Sequence, residues 1–296
     1  MIRFRLPALL VGLLATLVAV PGQAKELRLD PSGGWTLNYA NDSCRLLREF
    51  GVGDEKVTLI LDQFQPWTPP SLSLMGQPLT QLDSRTVLLT AKFGPGLPEA
   101  KAAPATVGLI GPDKVPIVFG QVRDLLNREI KADETLAKPG TPLPTPEQEA
   151  AIASVLISSG SLHIGLQTGP LAAPMKAMRQ CLHDLVRDWG FDPDQQDALS
   201  RHASPIGNPS NWLTSADYPR RSLEAGASAL INFRLMVGAT GVPTGCHIQQ
   251  ATISTDLIRV TCNLLMRRAR FKPALDGQGK ASPSFYTNSV KWVTFK

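Results

Sequence analysis

The side chains able to do acid–base or metal chemistry are few and scattered. Four histidines are present, His163, His183, His202 and His247. None stands in an HExxH or comparable metal spacing, and neither a GxSxG elbow nor a phosphate-cradling P-loop occurs. His183 adjoins Asp184, a pairing that exposed helices produce by chance, and His202 follows Asp197 in a stretch rich in turn-formers. Each histidine reads as a surface or packing residue. The expectation is a protein that is not an enzyme, with no catalytic, cofactor-binding or metal-binding residues and no cofactor.

The remaining chemistry belongs to Cys44, Cys181, Cys246 and Cys262. No CxxC occurs, which argues against a zinc ribbon or a thioredoxin-type redox site. What the thiols do depends on the compartment, and the N-terminus speaks to that. Arg3 and Arg5 precede an apolar run from Leu6 to Val20, and Pro21 and Gly22 then break it. Gly22 and Ala24 put small residues at −3 and −1 of a cleavage point before Lys25. A spanning helix needs about 20 apolar residues, and this run is shorter. Residues 1–24 therefore read as a cleavable signal peptide, and the protein as exported to the periplasm; an inner-membrane anchor is the lesser alternative. In that oxidising space four cysteines read as disulfides, with three pairings open on spacing alone.

Charge is unevenly distributed. Residues 25–211 carry 17 basic and 21 acidic side chains, whereas residues 212–296 carry 11 and 4. A net of +7 in the C-terminal part suits an anionic cell-envelope polymer, anionic lipid or an acidic partner. Nucleic acid fits poorly, because an exported protein rarely meets it.

The elements that must position these residues are mostly strands. With 24 Gly and 25 Pro among 296 residues, many turns and short strands are expected. Trp35–Tyr39, Val57–Leu61, Ser71–Met75 and Thr86–Thr90 are short, apolar or alternating runs, and 107–110 and 116–119 continue the series. A Pro-rich stretch at 138–146 leads into a helix over 146–157, with Thr145 as cap, Pro146 in the first turn and Gln148 closing a capping box. Ser161 to Gln167 reads as a strand. A second helix over 174–189 carries the stripe Met175, Met178, Leu182, Leu185 and Trp189, with Gly190 ready to cap it. Cys181 lies by that stripe and Cys44 follows the first strand, so a Cys44–Cys181 bond is expected to tie helix to sheet. The fold class is α+β: residues 25–195 form a β-rich domain, an antiparallel sandwich or barrel-like sheet with two helices. Residues 196–217 read as a linker, and 218–296 as a second domain.

That second domain has a sharper pattern. Ala229 to Val237 alternates, with Ile231, Phe233, Leu235 and Val237 on one face; Gly238 to Gly241 turns, and 245–253 returns. Ser254 or Thr255 opens a helix whose end carries Arg267, Arg268 and Arg270, complementing its dipole. Residues 284–295 make a last strand, completing the order β-β-α-β. With Tyr218-Pro219 ahead of the first strand, Asp256-Leu257 at the helix start, Arg267-Arg-Ala-Arg-Phe-Lys-Pro-Ala274 and the closing Val293-Thr-Phe295, residues 212–296 resemble the C-terminal domain of the TonB family.

The resemblance implies an outer-membrane transport role. Members of that family bind the periplasmic segment of an outer-membrane transporter by adding it as a strand, usually at the last strand. Here that strand offers Ser284, Tyr286, Asn288, Val290, Trp292 and Thr294 as partner-binding positions, with Lys291 and Lys296 as edge-protecting charges. Cys246 and Cys262 are expected to bond if the helix packs on the hairpin. Energy-transducing members carry an uncleaved anchor and a long Pro-rich stem, which a folded domain replaces here. The alternative is thus a stand-alone periplasmic binding or scaffold protein without energy transduction.

Overall fold

Runs of aliphatic and β-branched residues broken by Gly and Pro dictate a strand-rich α+β protein with one large sheet. A computed structural model describes residues 26–94, 102–121, 144–252 and 255–294. The signal-like segment 1–24, most of the Pro-rich stretch, Ser254 and Lys296 lie outside the described residues.

The first part comprises β1 (Leu27–Leu29), β2 (Thr36–Tyr39), β3 (Cys44–Phe50), β4 (Val57–Gln63), β5 (Ser71–Gly76), β6 (Thr86–Phe93), β7 (Ala103–Ile110) and β8 (Val115–Gln121). It continues with α1 (Pro146–Ala151), β9 (Val155–Ser159), β10 (Leu162–Leu166) and α2 (Ala172–Asp188). All ten strands join one sheet in the order β1-β10-β9-β6-β7-β8-β5-β4-β3-β2. Every pairing is antiparallel except β1 with β10. β6 serves two neighbours: Thr86–Leu89 pair with β7, and Thr90–Phe93 with β9. The sheet then curls back on itself, because Pro31 bridges Phe50 and Gly51 N–H donates to the Asp30 carbonyl. The result is barrel-like.

Its core holds Leu46, Leu59, Leu61, Leu74, Phe93, Ile157 and Ile164, onto which α2 lays its expected stripe. Gly190 ends that helix at φ +87°, a conformation that glycine adopts without Cβ strain. Gly190 N–H bonds the Arg187 carbonyl and Phe191 N–H the Val186 carbonyl, the paired bonds of a Schellman stop. The Cys44–Cys181 disulfide ties β3 to this helix.

The end of the first helix differs from expectation. The first helix has its capping box, with Thr145 and Gln148 bonded reciprocally, but it stops at Ala151, not at 157. The run Val155-Leu-Ile-Ser-Ser is rich in β-formers and extends β10 and β6 instead. β3 lies outside the strands read from the sequence, and it carries Arg45, Arg48 and Glu49. Its charges are absorbed laterally: Arg45 pairs with Asp62 of β4 at 2.7 Å, and Arg48 donates to the carbonyls of Gly33 and Thr168.

The rest of the chain contributes α3 (Pro193–Asp197), β11 (Ser204–Pro205), α4 (Arg220–Glu224), β12 (Ala229–Val237), β13 (Pro243–Ala251), α5 (Thr255–Arg268), β14 (Phe271–Lys272), β15 (Ala274–Leu275), β16 (Ala281–Ser282) and β17 (Ser284–Trp292). β13, β12 and β17 form an antiparallel sheet in that order. Ile231, Phe233, Leu235 and Val237 are buried on the face that α5 covers with Leu257 and Leu265. The Cys246–Cys262 disulfide joins β13 to α5.

Residues 196–217, expected as a linker, are packed on this second part. β11 pairs with β14, Arg201 bridges Leu275, and Trp212 is buried against Phe271. Asp217 forms two bonds to Arg268, at 2.7 and 2.8 Å, which hold its carboxyl well below the usual range. Polar composition marks this stretch as a tether, whereas main-chain pairing, a buried indole and an ion pair fasten it.

Candidate partner-binding edge

β17 is an edge strand, and the geometry of β12 fixes which of its backbone groups are free. The Leu230 carbonyl accepts from Thr252 N–H at 3.0 Å, and Leu230 N–H donates to Thr252 Oγ1, so Leu230 turns its main chain toward the β13 side. Main-chain direction alternates along a strand. Ala229, Ile231, Phe233, Leu235 and Val237 therefore turn theirs toward β17, where the register opposes them to Trp292, Val290, Asn288, Tyr286 and Ser284. It follows that Phe285, Thr287, Ser289 and Lys291 point their N–H and C=O groups outward. Among the described residues no strand pairs with that rim.

The rim is lightly guarded. Ser289 N–H is taken by its neighbour Asn288 Oδ1 at 2.8 Å, while Asn288 Nδ2 donates to the Tyr286 hydroxyl at 2.7 Å. Burial pushes the Tyr286 phenol up, so it stays neutral and able to accept. Lys291 is exposed on the strand.

The six side chains expected to meet a partner mostly face inward. Ser284 is fully buried and donates to Gln196 Oε1. Tyr286 packs against Trp212 and Phe271, and Val290 against the α5 side of the sheet. Trp292 is buried, and its Nε1–H donates to Thr261 Oγ1. Thr294 is tied to Gly226 and Ser228. Of the set, Asn288 alone is exposed among β17 residues. The reason is the two-residue period of a strand: the face that carries Tyr286, Val290 and Trp292 is the one α5 needs. The signal was in the sequence, since the polar alternates Thr287, Ser289 and Lys291 mark the other parity.

Behind the rim, the opposite face of the small sheet is pressed on the large one. Arg234 is 4% exposed, bonds Asp42 at 2.9 Å and lies 4.0 Å over the Trp189 ring. Desolvation pulls its pKa down and Asp42 pushes it up. Gln249 Nε2 donates to the carbonyls of Asp42 and Phe64. Phe285 reaches from β17 into the large core, stacked on Trp67 and edge-on to Trp189.

Two of the histidines also meet here. His183 pairs with Asp197 at 3.0 Å, not with Asp184, which binds Arg187. Trp67 Nε1–H donates to the same Asp197, and its ring lies 4.1 Å from that of His202. Asp197 and His202 are five residues apart, but each contacting pair is separated by 14 residues or more, so local spacing could not have signalled the cluster. It offers no nucleophile beside a base. Among the described residues no group of three His, Cys, Asp or Glu side chains could hold a metal ion.

Burial lowers the His202 pKa, with Asp197 opposing. A histidine depressed in the folded state contributes nothing above its unfolded value of about 6.5 and destabilises as pH falls below it, because the unfolded chain takes the proton first. We expect Tm to fall between pH 7 and 5. His202→Phe, which keeps a ring against Trp67, should flatten part of that slope in thermal scans. An unchanged slope would mean that another group titrates.

No protein-family model matches the chain, and no curated protein sequence does. Among the described residues no helix is long and apolar enough to cross a membrane, and the two disulfides fit an oxidising compartment.

Proposed function

We propose that this is a TonB-like periplasmic protein that takes part in outer-membrane transport by binding an extended transporter segment as an added strand on β17. The observation that carries the reading is the unpaired rim of Phe285, Thr287, Ser289 and Lys291 on a three-stranded sheet backed by α5. Main-chain bonds along such a rim supply affinity, and the alternating side chains supply choice. The motif Arg267–Ala274 supports the family likeness. The Asn288 side chain must give up Ser289 N–H to the incoming strand.

A second reading, a stand-alone binding or scaffold protein without energy transduction, is favoured by the seam at Arg234 and Phe285. It fastens the small sheet to a folded body where a motor-coupled member has a stem.

The test is Ser289→Pro. Proline removes one outward N–H and is tolerated where that N–H faces away from the sheet. A photo-crosslinking residue at Thr287 should trap transporter segments in intact cells, identified by mass spectrometry. Ser289→Pro should cut the yield about tenfold or more, as expected for loss of a central ladder position, while thermal stability is retained. Undiminished cross-linking in the folded variant would remove β17 as the docking edge.

A further inference from the structure

The C-terminal end of α5 and the extended residues after it gather cations around exposed aliphatic side chains. Ile206 N–H donates to the Arg270 carbonyl at 2.8 Å, and β11 pairs with β14 in the register Ser204–Lys272 and Pro205–Phe271. On the other side Phe271 N–H donates to the Gly241 carbonyl at 2.9 Å. That approach is close: a Cβ on Gly241 would stand 2.0 Å from the Phe271 carbonyl oxygen, so the β12–β13 turn is seated on residues 270–272. The exposed side chains of Ile206 and Val242, 54% and 42% accessible, thus flank one short segment.

The cations belong to the same segment. Arg267, Arg270 and Lys272 are exposed. Arg270 Nη1 folds back on the carbonyls of Arg267 and Ala269, and exposed Arg201 donates to the Pro273 carbonyl. Nearby carboxylates are engaged elsewhere: Asp217 with Arg268, and Asp276 Oδ1 with the N–H groups of Gln278 and Lys280. Among the described residues no ion pair neutralises Arg201, Arg267, Arg270 or Lys272.

We infer that this face, built from Ile206, Val242, Arg201, Arg267, Arg270 and Lys272, docks on an anionic phospholipid bilayer surface. Cations draw a protein to such a surface, and aliphatic side chains set among them enter the headgroup boundary. A wholly polar polymer would reward the charges and leave Ile206 and Val242 without use. The net of +7 over residues 212–296, against a net of −4 over residues 25–211, orients this end toward the membrane. The docking face does not involve the β17 rim.

The experiment is co-sedimentation of the full chain with vesicles of phosphatidylcholine alone or with about one quarter phosphatidylglycerol, a negatively charged surface of the kind that basic patches bind. Binding is expected to the mixed vesicles and not to the neutral ones, and to weaken with added salt. The triple change Arg267→Gln, Arg270→Gln, Lys272→Gln should weaken it about tenfold or more. The double change Ile206→Ser, Val242→Ser should weaken it about fivefold or more with the charge untouched. Both variants alter exposed side chains, and circular dichroism checks that they fold. Equal binding to both vesicle types, or no effect of either variant, overturns the inference. Binding of soluble polyglutamate with the same affinity, lost in the triple variant and indifferent to the double one, would assign the face to anionic polymer and overturn it too. Ser289→Pro should leave vesicle binding unchanged, so this test and that of the β17 rim fail independently.

Discussion

Replacing both Cys44 and Cys181 by alanine is expected to lower the free energy of unfolding by about 4–5 kcal/mol. The bond spans a sequence separation of 137 residues, so it removes a large share of the freedom of the unfolded chain. It also joins β3, the strand next to the sheet's β2 edge, to the helix that covers the core. The Cys246–Cys262 bond closes a separation of only 16 residues, and its removal should cost about 3 kcal/mol. A domain of ordinary stability holds about 5–15 kcal/mol in all, so the first variant should be marginal near body temperature and the second comfortably folded. Urea titration of the two double-alanine variants measures both. An equal loss in each would show that loop length does not set the difference.

Asp42→Asn should cost about 3 kcal/mol or more, because it strands the Arg234 guanidinium in the seam without its counter-charge. Gln249 bonds the main-chain carbonyl of Asp42, which the substitution leaves in place. The reciprocal change, Arg234→Met, should cost far less, about 1 kcal/mol. Asp42 is partly exposed and can be rehydrated, and methionine fills the space over Trp189. The asymmetry is the diagnostic. Equal losses would mean that the pair's own attraction, and not the desolvation of one buried cation, decides the energetics.

Much of the architecture was legible where one face of an element is buried and the other is wet. β12 announced itself by alternation, and α2 by a stripe at helical spacing. Both disulfides were foreseeable from the elements that carry the cysteines. β3 was hidden because its charged residues are satisfied sideways, by Asp62 and by carbonyls far along the chain, which no local window reveals. β9 was absorbed into the preceding helix, since a short apolar run carries no period of its own. For the candidate edge, both the strand and its parity are readable: Tyr286, Val290 and Trp292 name the face turned to the protein's own helix. The histidine–tryptophan cluster joins residues 67, 183, 197 and 202 and exists only once both sheets are in contact.

The reach of Phe285 into the large core has a mechanical consequence. A pull exerted along β17 would load its bonds to β12 in shear, all at once, instead of peeling them singly. Phe285 and Arg234 would pass that tension directly to the ten-stranded sheet, so the two sheets would yield as one body and not as beads on a string.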